Sequence, residues 1–514
     1  MRPGRSTHAA NGMFALLCVV LLAPLALVDV PPLLDYPNHL ARAVVLAAGA
    51  SDPFLSQIYA AHWTIIPNLG TDLVLPPLLH VLPVHLAGRI VVGITILLPV
   101  IGTIAYSRAV FGGRSAWPLA SCLVAYNATL LLGFLNFVAA IGIALLLAAG
   151  WIAWRERHPV RTVALATIGT AVLFFCHLMG LLFCLVLIVC YEFEQTWLRR
   201  THRPGIIGRL AALMPLLVAA FGLYFISPLA PLADETEFSS IADKARQLVL
   251  PFANYILPLD VATACVVGTF LIVCLATRRC RVSPGSGLAL LLTVVFFVAA
   301  PWAFKGTYFL DSRFAIMLGY LLFGGTLPTG LPRTAALSAA AGFAMLFGIR
   351  MAVVAYAWHG HRLDVADLRA VIAPVAPGAR VLVVSVSPEE APQYWDNAPL
   401  SRKLSIGLRL DHHLPALLLI EHRAYWPFLF DNPSQQPVVT LPPYRALAER
   451  ADAIENRRTL APPDRTDVCG YDYLLLLDAG GEPDLAHFAG EWLVLVTRSD
   501  IAALFRVRPA ACLS

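Results

Sequence analysis

Long apolar runs, separated by short polar connections, dominate the chain from residue 13 to residue 357. Their lengths are close to the roughly 20 residues that an α-helix needs to cross the hydrocarbon of a bilayer. His177 interrupts one pair of runs, so a single long, tilted helix is the alternative for that pair. The pattern predicts eleven spans, at 13–30, 84–106, 116–132, 134–154, 162–176, 178–197, 208–227, 256–277, 286–303, 314–332 and 334–357.

The connection after the first span is unusually long and covers residues 31–83. It contains an amphipathic stretch from Asn38 to Ala50 and a proline-broken apolar run at 73–79. The apolar run is too short to cross a bilayer, so we expect an interfacial or re-entrant element.

The pattern changes from about residue 359, where short β-type runs alternate with helical stretches. Such a pattern, over about 150 residues, is typical of a small α/β domain with its own core. The sequence therefore predicts a transmembrane domain at 1–358 and an α/β domain at 359–514. The expected strands are 381–386, 473–477, 492–496 and 503–507. The expected helices are 365–375 and 443–456.

Composition supports a polytopic membrane protein. Hydrophobic residues make up 58% of the 514 residues and charged residues 13%, whereas soluble chains carry about 25% charged residues. The net charge of +5, from 37 basic and 32 acidic residues, is too small to indicate a nucleic-acid partner. We expect none.

The distribution of charge predicts orientation. Arginines concentrate in alternate connections, whereas acidic residues concentrate in the intervening ones. Because basic residues favour the cytoplasmic side, we expect a cytoplasmic N-terminus. The odd number of spans then places the segment after residue 358 outside. The first apolar run lacks a small-residue cleavage site before Pro31, so we interpret it as a retained helix and not as a signal peptide.

Cysteines and potential metal ligands give weak signals. Eight of the ten cysteines fall in or beside apolar spans, where they act as small hydrophobes. Cys469 and Cys512 lie in the C-terminal segment and are either a disulfide or two free thiols. Asp411-His412-His413 and Glu421-His422 contain residue types that bind metals. The spacing of these residues fits no closed metal site.

Polar residues gather directly after the first span. Asp35 precedes Pro37, which is typical of a helix N-cap that accepts from the backbone of Asn38. The alternative is a carboxylate that acts as general base on an acceptor hydroxyl or amine. His39 and Arg42 follow on the same predicted helix. Arg42 either binds a phosphate oxygen or snorkels to the interface.

A second group lies at the expected outer ends of later spans. His177 is an ionisable group in an apolar setting, so it either belongs to a site or bonds a neighbouring helix. Asp311 and Arg313 either pair with each other or bind the diphosphate end of a lipid-linked donor. Lys305 and Tyr308 precede them in the same connection and are candidate substrate-binding residues as well. Span centres carry almost no charge, which favours a site at the outer boundary.

The arrangement of a first helix, a long loop that opens with an acid, many spans and a C-terminal domain resembles the GT-C superfamily of integral-membrane glycosyltransferases. The segment Leu34-Asp35-Tyr36-Pro37-Asn38-His39-Leu40-Ala41-Arg42 is similar to the opening of a group of bacterial polytopic proteins. The resemblance continues through His177-Leu178-Met179-Gly180, Asp311-Ser312-Arg313 and Gln436-Pro437.

The resemblance implies a role for Asp35 as catalytic base or metal-side carboxylate, with His39 or Asp311 as a helper. Several GT-C families have a second acid beside the first, whereas here Tyr36 follows, so no cofactor is assigned and a divalent metal is left open. The implied donor is a sugar on a polyprenyl phosphate or diphosphate, bound by Arg42, Lys305 and Arg313, while His177 shapes the site.

We therefore expect a glycosyltransferase of a bacterial inner membrane, with membrane lipid and an extracytoplasmic glycan, lipid or protein acceptor as partners. The alternative is a non-catalytic factor for membrane assembly or lipid-glycan translocation. A transporter is disfavoured because the spans show no matching interruptions in two halves.

Overall fold

The computed structural model describes residues 5–198, 203–233, 235–385, 398–455, 463, 465–477 and 492–508. The helices are α1 (Arg5–Leu22), α2 (Tyr36–Ala48), α3 (Leu55–Ile58), α4 (Gly70–Leu79), α5 (Val84–Phe111), α6 (Ala128–Leu131), α7 (Leu135–Trp154), α8 (Pro159–Cys176), α9 (Leu178–Leu198), α10 (Arg203–Ile226), α11 (Ile241–Gln247), α12 (Leu257–Ala276), α13 (Ser286–Ala299), α14 (Leu310–Gly325), α15 (Arg333–Ile372), α16 (Leu417–His422), α17 (Tyr444–Glu455) and α18 (Arg465–Val468). The strands are β1 (Tyr59–Ala61), β2 (Cys280–Val282), β3 (Thr326–Pro328), β4 (Val381–Ser385), β5 (Val438–Thr440), β6 (Tyr473–Leu477), β7 (Leu493–Arg498) and β8 (Ala502–Val507).

The described residues form two compact units. The first unit comprises the described parts of residues 1–26, 65–70 and 91–355. The second comprises those of 27–64, 71–90 and 356–514. Most of the long first connection is thus grouped with the C-terminal segment, and the predicted domain boundary after residue 358 falls inside α15.

The helices confirm a polytopic membrane protein. Within the described ranges, seven helices are long and apolar enough to cross a membrane, namely α5, α7, α8, α9, α10, α12 and α15, judged by length and composition. Shorter apolar helices lie at Gly12–Ala26 and Ser286–Ala299, overlapping the predicted spans at 13–30 and 286–303. The predicted span at 314–332 overlaps α14, which begins earlier and ends at Gly325, before β3. His177 has extended backbone between α8 and α9, so the alternative of one long helix there is wrong.

The predicted span at 116–132 is wrong in its local structure. A 3-10 helix occupies Trp117–Val124, and α6 is a separate short helix. Asn127 causes the interruption because its side chain accepts from the Leu130 backbone N–H at 3.1 Å and donates to the Val124 carbonyl at 2.8 Å. Such side-chain bonds to nearby backbone favour caps over continuous helix.

Glycines permit close helix approach in the first unit. A Cβ built on Gly142 of α7 would lie 2.4 Å from the carbonyl carbon of Leu98 in α5, and one on Gly102 would lie 2.7 Å from the Gly142 oxygen. Small residues let the backbones of membrane helices pack this closely. The crossing makes α7 a buried central helix, flanked by α8 and α9.

The second unit contains the predicted α/β fold. Four strands form a sheet in the order β4-β6-β8-β7, with β4 and β6 parallel and the other pairs antiparallel. The central strand β6 is buried along its whole length. These strands confirm the sequence prediction over their described residues. The sequence analysis missed the antiparallel pair of β1 and β5, in which Tyr59 faces Thr440.

Cys469 forms a disulfide bond. Its expected partner, Cys512, lies outside the described residues. The eight cysteines in or beside the apolar runs are free thiols.

Candidate functional site

Asp35 lies at the start of α2 in the second unit, but its side chain does not cap the helix. Its backbone carbonyl accepts the first helical bond, from the His39 N–H at 3.0 Å, whereas its carboxylate makes no cap bond. Asp35 Oδ1 instead lies 3.2 Å from His413 Nδ1, within ion-pair distance but without hydrogen-bond angles. The side chains are 15% and 12% exposed, respectively. The alternative of a carboxylate consumed as an N-cap is therefore wrong.

Asn38 attaches α2 to the aromatic segment around His413. Its side-chain amide donates to the Phe428 carbonyl at 2.8 Å, and its Oδ1 accepts from the Phe430 N–H at 2.9 Å. The His413 ring meets the Phe430 ring edge-on at 5.1 Å and the Trp426 ring at 6.1 Å. The proposed base therefore lies beside a rigid aromatic cluster.

Arg42 is committed to the protein interior. Its guanidinium forms a two-point bond with Asp72, with Nε–Oδ1 at 2.6 Å and Nη2–Oδ2 at 2.8 Å. Both side chains are essentially unexposed, at 0% and 1%. Asp72 is therefore the partner of Arg42, in place of the expected donor phosphate. The buried guanidinium does not snorkel to the membrane interface either.

His39 is a poor proton acceptor in this setting. Arg42 Nη2 lies 3.0 Å from His39 Nδ1, and because a guanidinium only donates, Nδ1 must accept. Burial, and after it the positive charge of Arg42 and the neighbouring His413, hold the pKa of His39 well below its usual range. A neutral imidazole with one nitrogen occupied helps orient Arg42, so its expected catalytic role lacks support from this geometry.

His177 and Arg313 meet in the first unit, although the sequence did not pair them. Arg313 Nη1 lies 2.9 Å from His177 Nε2, and Nη2 donates to the Tyr308 carbonyl at 3.3 Å. The guanidinium also covers the rings of Phe134 and Phe137, at 4.9 and 5.6 Å. These contacts hold a permanent cation at the junction of α8 and α9.

The expected pair of Asp311 with Arg313 does not form. Asp311 is fully buried, and its Oδ2 accepts from Ser239 Oγ at 2.7 Å, Lys244 Nζ at 3.1 Å and Gln247 Nε2 at 3.1 Å. These contacts fasten the start of α14 to α11 and to Ser239, which lies two residues before α11. Asp311 therefore works as a structural anchor, and the sequence analysis missed its partner Lys244.

Lys305 and Tyr308 have separate surroundings. Lys305 Nζ donates to the carbonyls of Leu229, Ala230 and Leu232 at 3.3, 2.6 and 2.9 Å, which holds the loop after α10. The side chain of Tyr308 is exposed and packs against Trp302 at 5.2 Å between ring centres. Tyr308 is thus exposed, whereas Lys305 is half-buried and bonded to backbone carbonyls.

The described residues contain no group of three or more His, Cys, Asp or Glu side chains placed to hold a metal ion. The divalent metal that the sequence leaves open therefore has no assigned ligands in that part of the chain.

A solved structure resembles the chain over nearly its full length. The crystal structure of ArnT from Cupriavidus metallidurans, bound to undecaprenyl phosphate, matches with a TM-score of 0.50 and 15% identity. The match covers 98% of this chain and 99% of that one. The fold is GT-C-like. The GT-C-like fold confirms the fold class expected from the sequence. No protein-family model and no curated protein sequence matches the chain.

Within this GT-C-like fold, sequence reasoning missed Asp72 and the relation of His413 to Asp35. Asp72 carries little signal, because one acid in a mixed connection has many possible partners. His413 was visible as part of Asp411-His412-His413, but only as an unconvincing metal pattern. A search for an imidazole to accompany the first-loop acid would have found it.

Proposed function

We propose that this protein is a membrane glycosyltransferase that moves a sugar from a polyprenyl-phosphate or polyprenyl-diphosphate donor to an extracytoplasmic acceptor. The whole-chain likeness to ArnT, which was crystallised with undecaprenyl phosphate, supports such a donor at the level of fold. The apolar helices are consistent with a substrate that is itself a membrane lipid.

The observation that carries the proposal is the carboxylate of Asp35, which is partly exposed and not used as a helix cap. In the proposed step this carboxylate takes the proton of the acceptor hydroxyl or amine. The acceptor atom bonds to the anomeric carbon of the donor, and the bond between that carbon and the phosphate oxygen breaks. The polyprenyl phosphate or diphosphate leaves with the electrons of that bond.

Arg313 is the residue we assign to the donor phosphate. Its guanidinium is a permanent cation, and His177 and the Tyr308 carbonyl fix its orientation. Arg42 and Lys305 receive no such role because Asp72 and three backbone carbonyls hold them.

We also propose that the protein resides in a bacterial inner membrane, with a cytoplasmic N-terminus. The alternating charge of the connections supports this orientation, in which the segment after residue 358 faces the extracytoplasmic space.

The test is sugar transfer by Asp35→Asn, an isosteric change that removes the base. The purified variant is incubated with polyprenyl-phosphate and polyprenyl-diphosphate sugars and with extracted envelope acceptors. We expect the rate to fall at least about 100-fold, as general-base removal does. Glu449→Gln, which changes an exposed carboxylate in the same unit, should retain activity. Full activity of Asp35→Asn, with unchanged thermal unfolding, would overturn the assignment.

A further inference from the structure

The Asp411-His412-His413 stretch has no role in the proposed reaction, yet it brings one imidazole to the proposed base. Among the ion pairs described for this stretch, His413 pairs with Asp35, whereas His412 Nε2 pairs with Glu455 at 3.0 Å. The two adjacent histidines thus have the same chemistry but different carboxylate partners. This contrast separates a role at the proposed base from a general role in folding.

Backbone hydrogen bonds and aromatic contacts hold the His413 ring in place. The backbone turns tightly around it, since Leu414 N–H donates to the Asp411 carbonyl at 3.0 Å and Ala416 N–H to the His413 carbonyl at 3.1 Å. Edge-on contacts with Phe430 and Trp426 fix the plane of the ring. Because Asn38 bonds the backbone of Phe430, the same contacts tie the ring to the helix that begins after Asp35.

The proton arrangement of the pair follows from its chemistry. An ionised carboxylate only accepts hydrogen bonds, so the nitrogen that faces it is favoured to carry a proton. In the neutral ring this places hydrogen on Nδ1, toward Asp35 Oδ1. The pair lies at 3.2 Å without hydrogen-bond angles, and catalytic hydrogen bonds often align only in the substrate complex.

We propose that His413 is the positioning residue for Asp35, an inference that rests on the proposed function. Its Nδ1–H holds Oδ1 of the carboxylate and leaves Oδ2 to take the acceptor proton. His413 does not itself bond to the donor or exchange a proton with it. Its contribution is to reduce the number of carboxylate orientations that the acceptor meets.

A matched set of variants tests this role. The amide nitrogen of Asn occupies about the position of imidazole Nδ1, whereas that of Gln is closer to Nε2. We expect His413→Gln to lower kcat by up to about 100-fold, the cost of a misplaced reacting group, with little change in KM for the donor. His413→Asn should recover most of that loss. His412→Asn, at the adjacent imidazole, should leave kcat unchanged.

Coupling to Asp35 gives a second readout. If His413 acts through the carboxylate, His413→Gln should cause no further loss when it is added to Asp35→Asn, so the two effects are not additive. Equal losses in His413→Asn and His413→Gln, or full additivity with Asp35→Asn, would overturn the positioning role. Thermal unfolding of each variant shows whether a lost rate comes from lost structure.

The outcomes distinguish this inference from the proposed function. An inactive Asp35→Asn together with a fully active His413→Gln would refute the positioning role and leave the glycosyltransferase assignment intact. A fully active Asp35→Asn would refute both.

Discussion

Asp35 and Asp72 belong to the same unit, but their carboxylates meet different environments. Asp72 is buried against the guanidinium of Arg42, and both of its oxygens are bonded. Asp35 keeps partial exposure and faces one imidazole. A buried ion pair is costly to break, whereas a partly exposed carboxylate remains available to a substrate. The environment, and not the residue type, therefore supports a structural role for Asp72 and the proposed catalytic role for Asp35.

We predict that Asp72→Asn destabilises the second unit strongly. The change leaves the Arg42 charge buried and uncompensated, which costs about 3–5 kcal/mol. Thermal unfolding of the detergent-purified protein should show a clearly lower transition temperature. Glu449→Gln is the matched control, because the pair of Glu449 with Arg445 is exposed and such pairs contribute about 0–1 kcal/mol. Equal transition temperatures for both variants would contradict the structural role of Arg42.

Local sequence singled out candidate site residues but could not give the partners of their side chains. Polarity directly after an apolar span singles out Asp35, His39 and Arg42 without any structure. The partner of Arg42 is 30 residues away, and that of Asp35 lies in the C-terminal segment. The residues at the start of α2 are typical of a side-chain N-cap at Asp35. The carboxylate lies beside His413 instead, a residue far away in the sequence.

One carboxylate joins three helices of the second unit. Glu421 of α16 accepts from Arg369 of α15 at 2.8 Å and lies 2.8 Å from His85 Nε2 at the start of α5. Burial alone would raise the pKa of Glu421, but the hydrogen bonds of His85 and Arg369 and their charges outweigh it and lower the pKa to about 2. The carboxylate therefore stabilises the fold only while it is ionised.

This shift predicts an acid-dependent loss of stability. The unfolded-state pKa of Glu is about 4.3, so the stabilisation by Glu421 is complete above that pH and is lost as pH falls toward 2. Unfolding temperatures measured from pH 7 to pH 2 should fall less steeply in Glu421→Gln than in the wild type over this window. Asp367→Asn, an exposed site on α15, should keep the wild-type slope. Parallel curves for Glu421→Gln and wild type would refute the assignment.

The helices and strands were predicted best where one hydrophobic pattern continues through the whole element. The strands of the C-terminal sheet were found from short apolar runs, and β4 and β6 begin at the predicted residues. The span at 116–132 failed because hydropathy averages over Asn127, whose side chain ends one local structure and starts another. The short pair of β1 and β5 was invisible because each strand is only three residues long.

At the scale of the whole molecule, apolar length and charge asymmetry are enough to give the fold class and a proposed orientation. The grouping of the first connection with the C-terminal segment is not encoded in any local pattern. It results from contacts between residues far apart in sequence, which hydropathy does not describe.

The orientation gives a direct prediction. In intact spheroplasts, a membrane-impermeant thiol reagent should label Asp500→Cys but not Arg157→Cys, in a background without the exposed Cys265. The reason is that the charge pattern places the C-terminal segment outside and the connection after α7 inside. Both positions should react once detergent opens the membrane, which controls for accessibility. The reverse labelling pattern would contradict the proposed topology.

The side-chain amide of Asn38 has a consequence for the timing of assembly. It bonds backbone atoms of Phe428 and Phe430, and its bond to Phe428 spans 390 positions. At a translation rate of about 5–20 residues per second, α2 waits roughly 20–80 s before these partners are made. A nascent chain thus carries Asp35 without the histidine and aromatic neighbours that surround it later. The surroundings of the proposed base are complete only once synthesis has passed Phe430, so a prematurely released chain lacks them.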